Sequence, residues 1–210
     1  QGSKKRRCYG HERMTEEALE AVCQRLRAFV RPLHGEIEIF KHDGLPALTS
    51  HPYLEYVTEE GIVNQVSPPY VHEGVGLAES SFRTSVPGAN ALLRGSNSDH
   101  THFFTAFGSY EDAANRMIRA ESDKSADDIF YHSSRHLASF ADAIPYGSPV
   151  YYLEHPEIRS SKFNDHAKPG TYRGPSRDDE SPHRCCVWTG TRHVTVDMGC
   201  MRADHRSVVA

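Results

Sequence analysis

Between Thr15 and Val66 the hydrophobic spacing changes period three times, and this limits the folds open to the chain more than any other feature. Ala18, Val22, Leu26 and Phe29 recur at helical spacing behind Thr15, an N-cap type followed by Glu16 and Glu17 where negative charge suits the helix dipole. Pro32 and Gly35 close that helix. In "GEIEIFKHDG", Ile37 and Ile39 alternate with Glu36 and Glu38, the period of a half-buried strand, and Asp43 falls just past its end. A second helix is expected from Pro52 to Glu60, stopped by Gly61, and a second short strand over Ile62–Val66. Helix and strand alternating in this way point to an α/β fold.

The loop "SPPYVHEGVG" follows, and Ala78–Leu93 is helical in pattern with Glu79 in its opening turn. Pro87–Gly88 is expected to interrupt that helix, because an internal proline removes a hydrogen bond at a cost of about 3 kcal/mol. Beyond His102, Phe103, Phe107, Tyr110 and Ala114 fall on one face of a further helix, a stripe that reads as core packing. Ser122–Ser139 is polar and expected to be irregular. From Pro145 onward, "PVYYLE", "CCVWTG" and "HVTVDM" read as strands between Gly/Pro turns. The organisation expected is a basic arm over 1–14, a core over 15–120, an irregular linker over 121–144 and a β-rich region over 145–210.

Composition narrows the function classes. A net charge of −4 with 14 neutral histidines argues against a broadly basic nucleic-acid glove, although "KKRR" at Lys4–Arg7 is a local basic run. The 210 residues, 38% hydrophobic with a mean hydropathy of −0.61, contain no apolar run long enough to cross a bilayer and no signal-peptide pattern, so a protein of an intracellular compartment without a membrane partner is expected. Five cysteines without regular spacing do not form a disulfide framework. Cys185, Cys186, His193, Cys200 and His205 match no zinc-ligand spacing. The scattered histidines read as ordinary surface residues rather than as a pH-responsive or metal-scavenging set.

Asp43 and Glu79 are the acids in unusual settings, with 35 residues between them. Carboxylates at a strand end and a helix start supply the hard oxygen ligands that Mg²⁺ or Mn²⁺ requires. The text around them resembles the integrase core of copia-type retrotransposon polyproteins. That family writes R-S-D-N-G-x-E-F-x-S, then G-I-x-H-x-x-S-x-P-Y, then N-G-x-A-E-R-x-N-R-T; the matching segments are "KHDGLPALTS", "GIVNQVSPPY" and "GVGLAESSFRT". "FFTAFGSYEDAANRM" is similar to the family's helix ending in an N-R pair, here Asn115–Arg116, and the likeness runs in order to "VWTGTRHVTVDMGCMRAD".

The resemblance implies an RNase H-like core lacking its first strands, followed by a small β-rich extension. It places Asp43 and Glu79 as the second and third catalytic acids binding Mg²⁺ or Mn²⁺, and Lys41, Arg83 and Arg116 as phosphate contacts to DNA, each of which reads alone as a solvated surface charge. A nuclear or cytoplasmic setting goes with that reading. The first family acid has no counterpart here, since no acid precedes Glu12. Gly44 stands where the family has asparagine, Ala47–Leu48 replace its E-F, Val75 replaces an asparagine, and Ser80 replaces the basic residue after Glu79. A two-metal clamp is therefore expected to be incomplete, and strand transfer by this chain alone is not expected. The competing expectation is a non-catalytic scaffold subunit, a homo-oligomer or part of a larger assembly, with an organelle as a possible setting.

Overall fold

A computed structural model describes residues 15–68, 76–118, 123–132, 143–154, 167–176 and 184–203. The Lys4–Arg7 run, Cys8, Val75 and His205 lie outside them. The chain divides into two compact units, with the boundary between Arg83 and Thr84.

In the first unit, α1 (Glu16–His34) starts at Thr15, whose hydroxyl accepts from the Ala18 N–H at 3.2 Å, and ends at Gly35 with φ of 80°. Strand β1 (Ile39–His42) is followed by a 3-10 turn (Pro46–Thr49), α2 (His51–Glu59) and β2 (Val63–Val66). The strands pair in parallel, Ile39 beside Val63 and His42 beside Val66. Parallel pairing needs a crossover, and α2 supplies it. Leu19 and Cys23 of α1 pack with Tyr53, Val57 and Ile62, and Phe40 and Leu48 close this core.

The phase of β1 corrects the sequence expectation. Ile37 lies outside the strand, and Ile39 is 53% exposed; Phe40 and His42 face the core instead. Because side chains alternate, starting the strand at Ile39 with Phe40 inward sends Ile39 and Lys41 outward. Val63, beside Ile39, is 60% exposed, so the outer face of this sheet carries an apolar pair.

The helix expected to break at Pro87 does not. Helix α3 (Gly76–Gly95) is continuous through it. Ser85, Ala89 and Leu93 are buried along its inner face, and Ala89 and Leu93 pack with Ala106 and Phe107. That burial outweighs the lost hydrogen bond at exposed Pro87. Gly88 serves the same contact, since a Cβ there would overlap the Tyr110 ring.

The second unit adds α4 (Phe103–Arg116) and α5 (Ala126–Phe130) to the later part of α3. Helix α5 lies inside the segment expected to be irregular. It is fixed by a capping box, in which the Ser125 hydroxyl accepts from the Asp128 N–H and the Asp128 carboxylate accepts from the Ser125 N–H. The β-rich region is a five-stranded antiparallel sheet of β3 (Pro149–Leu153), β4 (Ala167–Pro175), β5 (Arg184–Trp188), β6 (His193–Asp197) and β7 (Met201–Ala203), ordered β6-β5-β4-β3-β7. A 3-10 turn (Met198–Cys200) leads into β7. Val150, Tyr152, Tyr172, Cys185, Val187, Val196 and Met201 form the core of the sheet. The fold is thus a mixed α/β one, and no helix among the described residues is long and apolar enough to cross a membrane.

Candidate functional site

Asp43 sits one residue beyond the carboxyl end of β1, where open parallel sheets place their ligand sites. The turn that carries it is fixed from both sides. His42 is buried, and its Nδ1 accepts from the Gly44 N–H at 3.0 Å. Its Nε2 lies 2.8 Å from Asn64 Oδ1 on β2, so the hydrogen-bond network assigns the ring proton to Nε2. The Asn64 amide in turn donates to the Leu48 carbonyl at 3.4 Å, and Tyr53 meets the imidazole edge-on. Gly44 has φ of 80°, a region that L side chains avoid, and Val66 Cγ1 lies 3.2 Å from where its Cβ would be. Backbone and buried imidazole thus hold the turn, while the Asp43 carboxylate itself is exposed.

Glu79 is exposed in the first turn of α3, where its charge also complements the helix dipole. Arg83 is exposed one turn further along the same helical face. Lys41 is exposed on the outer face of β1, opposite His42. Asp43 and Lys41 therefore share one strand end, and Glu79 and Arg83 one helix. Arg116 belongs to the other unit and is bonded to Asp112 at 2.7 Å. Among the described residues no group of three or more histidines, cysteines or acids is gathered to hold a metal. Two exposed carboxylates match the oxygen preference of Mg²⁺ or Mn²⁺ but leave most of its coordination to water. Cys185 is a buried thiol that donates to the Val196 carbonyl at 3.4 Å, and burial pushes its pKa up to about 12, the opposite of what a thiolate ligand needs.

The second unit holds a cluster that sequence reasoning missed. His102, at the foot of α4, is 6% exposed, and its Nδ1 lies 3.1 Å from Nε2 of His193 on β6. Both rings meet Trp188 edge-on, with centroids 4.7 and 4.9 Å away. Arg173 is buried nearby, donates to the Ser98 hydroxyl and lies 5.3 Å from the Tyr146 ring centroid. Burial, then Arg173, then His193 hold His102 below the ordinary histidine range, with Asp99 opposing them. His193 is exposed overall but turns one edge to His102; desolvation of that edge and Arg173 lower it too. No spacing in the sequence signals a contact across 91 positions.

The sign of the resulting pH dependence follows from proton counts. With both folded pKa values lowered, the unfolded chain binds more protons just below about pH 6.5. The stability contribution is full above that value and is lost as pH falls through the lowered folded values. Thermal unfolding followed by Trp188, the single tryptophan, is expected to show a falling midpoint from pH 7 to pH 5. In His102→Gln the slope should flatten. Parallel slopes in the two proteins would remove the pair from any role in acid sensitivity.

No protein-family model matches the chain, and no curated protein matches it. Among solved structures it is similar to a chain of the cryoEM structure of simian T-cell lymphotropic virus intasome in complex with PP2A regulatory subunit B56 gamma, with a TM-score of 0.49 and 14% identity over 92% of this chain and 66% of that one. The chain thus spans just under two thirds of that neighbour's length.

Proposed function

We propose that the chain is an integrase-like nucleic-acid-binding domain in which Asp43 and Glu79 hold one divalent cation, Mg²⁺ or Mn²⁺, against DNA phosphate. The observation that carries this reading is the setting of Asp43: an exposed carboxylate at the carboxyl end of a parallel strand, on a turn fixed by buried His42 and by Gly44. Such a fixed turn presents the carboxylate with little ordering cost when an ion arrives. Glu79 supplies the second carboxylate, and Lys41 and Arg83 add positive charge for the phosphate backbone. A bound cation would neutralise phosphate charge and polarise a phosphoryl oxygen. Two carboxylates do not make a two-metal clamp, so the proposal is binding without strand transfer by these residues alone.

A second reading, a non-catalytic subunit of an oligomer or larger assembly, is favoured by the exposed Ile39–Val63 pair on the outer sheet face. Calorimetric titration with Mn²⁺ separates the two. Wild type is expected to bind weakly, Asp43→Asn to give no measurable heat, and Glu79→Gln to bind about tenfold or more weakly, the scale of one charged ligand lost. Wild-type heat that survives both substitutions, or no heat at all, would leave the carboxylates without a metal role and favour the assembly reading.

A further inference from the structure

The second unit contains a cleft of about 480 Å³, within the usual range for small-molecule sites. Its walls come from the C-terminal half of α3, from α4, from the segment before β3 and from the end of β4. They are mainly apolar, with Leu92, Tyr110, Ile144, Pro175 and Met198 among them. The cleft's polar side chains include Ser96, Ser109, Asp112, Arg116 and Tyr172. Arg116 at the end of α4 spends one Nη2 donor on Asp112 at 2.7 Å, and a guanidinium has five donors in a fixed fork. Tyr172 on β4 is 8% exposed and lines the same surface as Asp112 and Arg116. Burial pushes that phenol well above its ordinary range, with Cys185 and Asp112 adding to the rise, so it remains a hydrogen-bond donor.

We infer that this cleft is a binding site for a largely apolar small molecule carrying one anionic group, with the apolar walls taking the body and Arg116 and Tyr172 taking the anion. Arg116 and Tyr172 both offer donors to this surface, and Asp112 is already engaged by Arg116, so an anion fits the polar end better than a cation does. The site is independent of the proposed metal carboxylates, which lie before the unit boundary.

The test uses two probes with the same aromatic body: anilinonaphthalene sulfonate, which is anionic, and phenylnaphthylamine, which is not. Wild type is expected to bind both saturably at one site per chain. Arg116→Met, made together with Asp112→Asn so that no orphaned carboxylate repels the probe, should weaken the sulfonate about tenfold or more and change the neutral probe less than about twofold. Tyr172→Phe should weaken the sulfonate by a few-fold. Ala113→Phe, which fills the cleft from α4, should remove both signals, with thermal melts confirming that each variant is folded. Absence of saturable wild-type binding overturns the proposal. So does sulfonate affinity that the Arg116→Met pair leaves unchanged, and so does binding of either probe that persists in a folded Ala113→Phe variant. If that variant does not fold, the Arg116→Met and Tyr172→Phe affinities decide the question.

Discussion

Phe107→Ala is expected to lower the stability of the second unit by about 3–5 kcal/mol. Phe107 is 4% exposed and packs with Ala89, Leu93 and Ala106, its ring 5.9 Å from that of Phe103. Truncation removes the transfer energy of the ring and leaves a cavity. Two of the neighbours are alanines on helices, with no side chain to swing into the space, so the site collapses poorly and the cost belongs in the upper part of the range. The gain in helix propensity from alanine offsets only about 0.5 kcal/mol. Phe104, next in the chain to Phe103, is 60% exposed, and Phe104→Ala should change stability by less than about 0.5 kcal/mol. Urea unfolding followed by Trp188 fluorescence reads both, because the single tryptophan lies in the same unit. Similar losses in the two variants would show that the aromatic stripe on α4 is not a core face.

That stripe was legible because it obeys a single local period. So were the Thr15 cap, the strand ending before Asp43 and the strands "CCVWTG" and "HVTVDM", since each is fixed by residues near in sequence. The errors have equally local causes. The Glu36–Ile39 alternation imitates a strand beginning three residues early, and only the core contact of Phe40 sets the true phase. Pro87 breaks the local rule but sits on the exposed side of a helix held by Ala89 and Leu93. Strand β4 was hidden by Pro169, Gly170, Gly174 and Pro175, which read as turns. Pro169 is tolerated because β4 pairs with β5 only from Thr171 onward, so on that side its missing N–H has no strand partner to lose. Gly170 is required because a Cβ would strike Val187. The capping box at Ser125 and Asp128 is a local signal, but the five-residue helix that it opens is too short to carry an apolar period.

The candidate sites divide in the same way. Asp43 and Glu79 could be picked out because strand-end and helix-start positions are readable from local pattern. The bonds that fix the Asp43 turn were not, since His42 meets Asn64 across 22 positions. The sharing of one cleft by Arg116 and Tyr172 and the His102–His193 pair depend on how β4 and β6 return to α4, which no periodicity encodes.

Gly174→Ala should cost about 2–5 kcal/mol through two separable effects. Gly174 has φ of 97°, a conformation in which an L side chain adds about 1–2 kcal/mol. A Cβ there would also fall on the Ser109 hydroxyl, with Ser109 Cβ only 3.1 Å away. Ser109 cannot simply turn aside, because its hydroxyl bonds to the Thr105 carbonyl at 2.9 Å and the Arg173 carbonyl at 3.3 Å. Relief must come from moving β4 off α4 or from breaking those bonds, and overpacking of this kind adds about 1–3 kcal/mol. Gly190→Ala isolates the first effect. Its φ of 95° is nearly the same, but nothing lies within 4 Å of the added carbon, so it should cost only the conformational 1–2 kcal/mol. The difference between the two variants, read from Trp188 unfolding curves, measures how closely β4 approaches α4. Equal losses would mean that β4 does not press on Ser109. A larger loss at Gly174 should be accompanied by weaker binding of both aromatic probes, because Ser109 and Gly174 also form part of the cleft wall and any shift of β4 reshapes it.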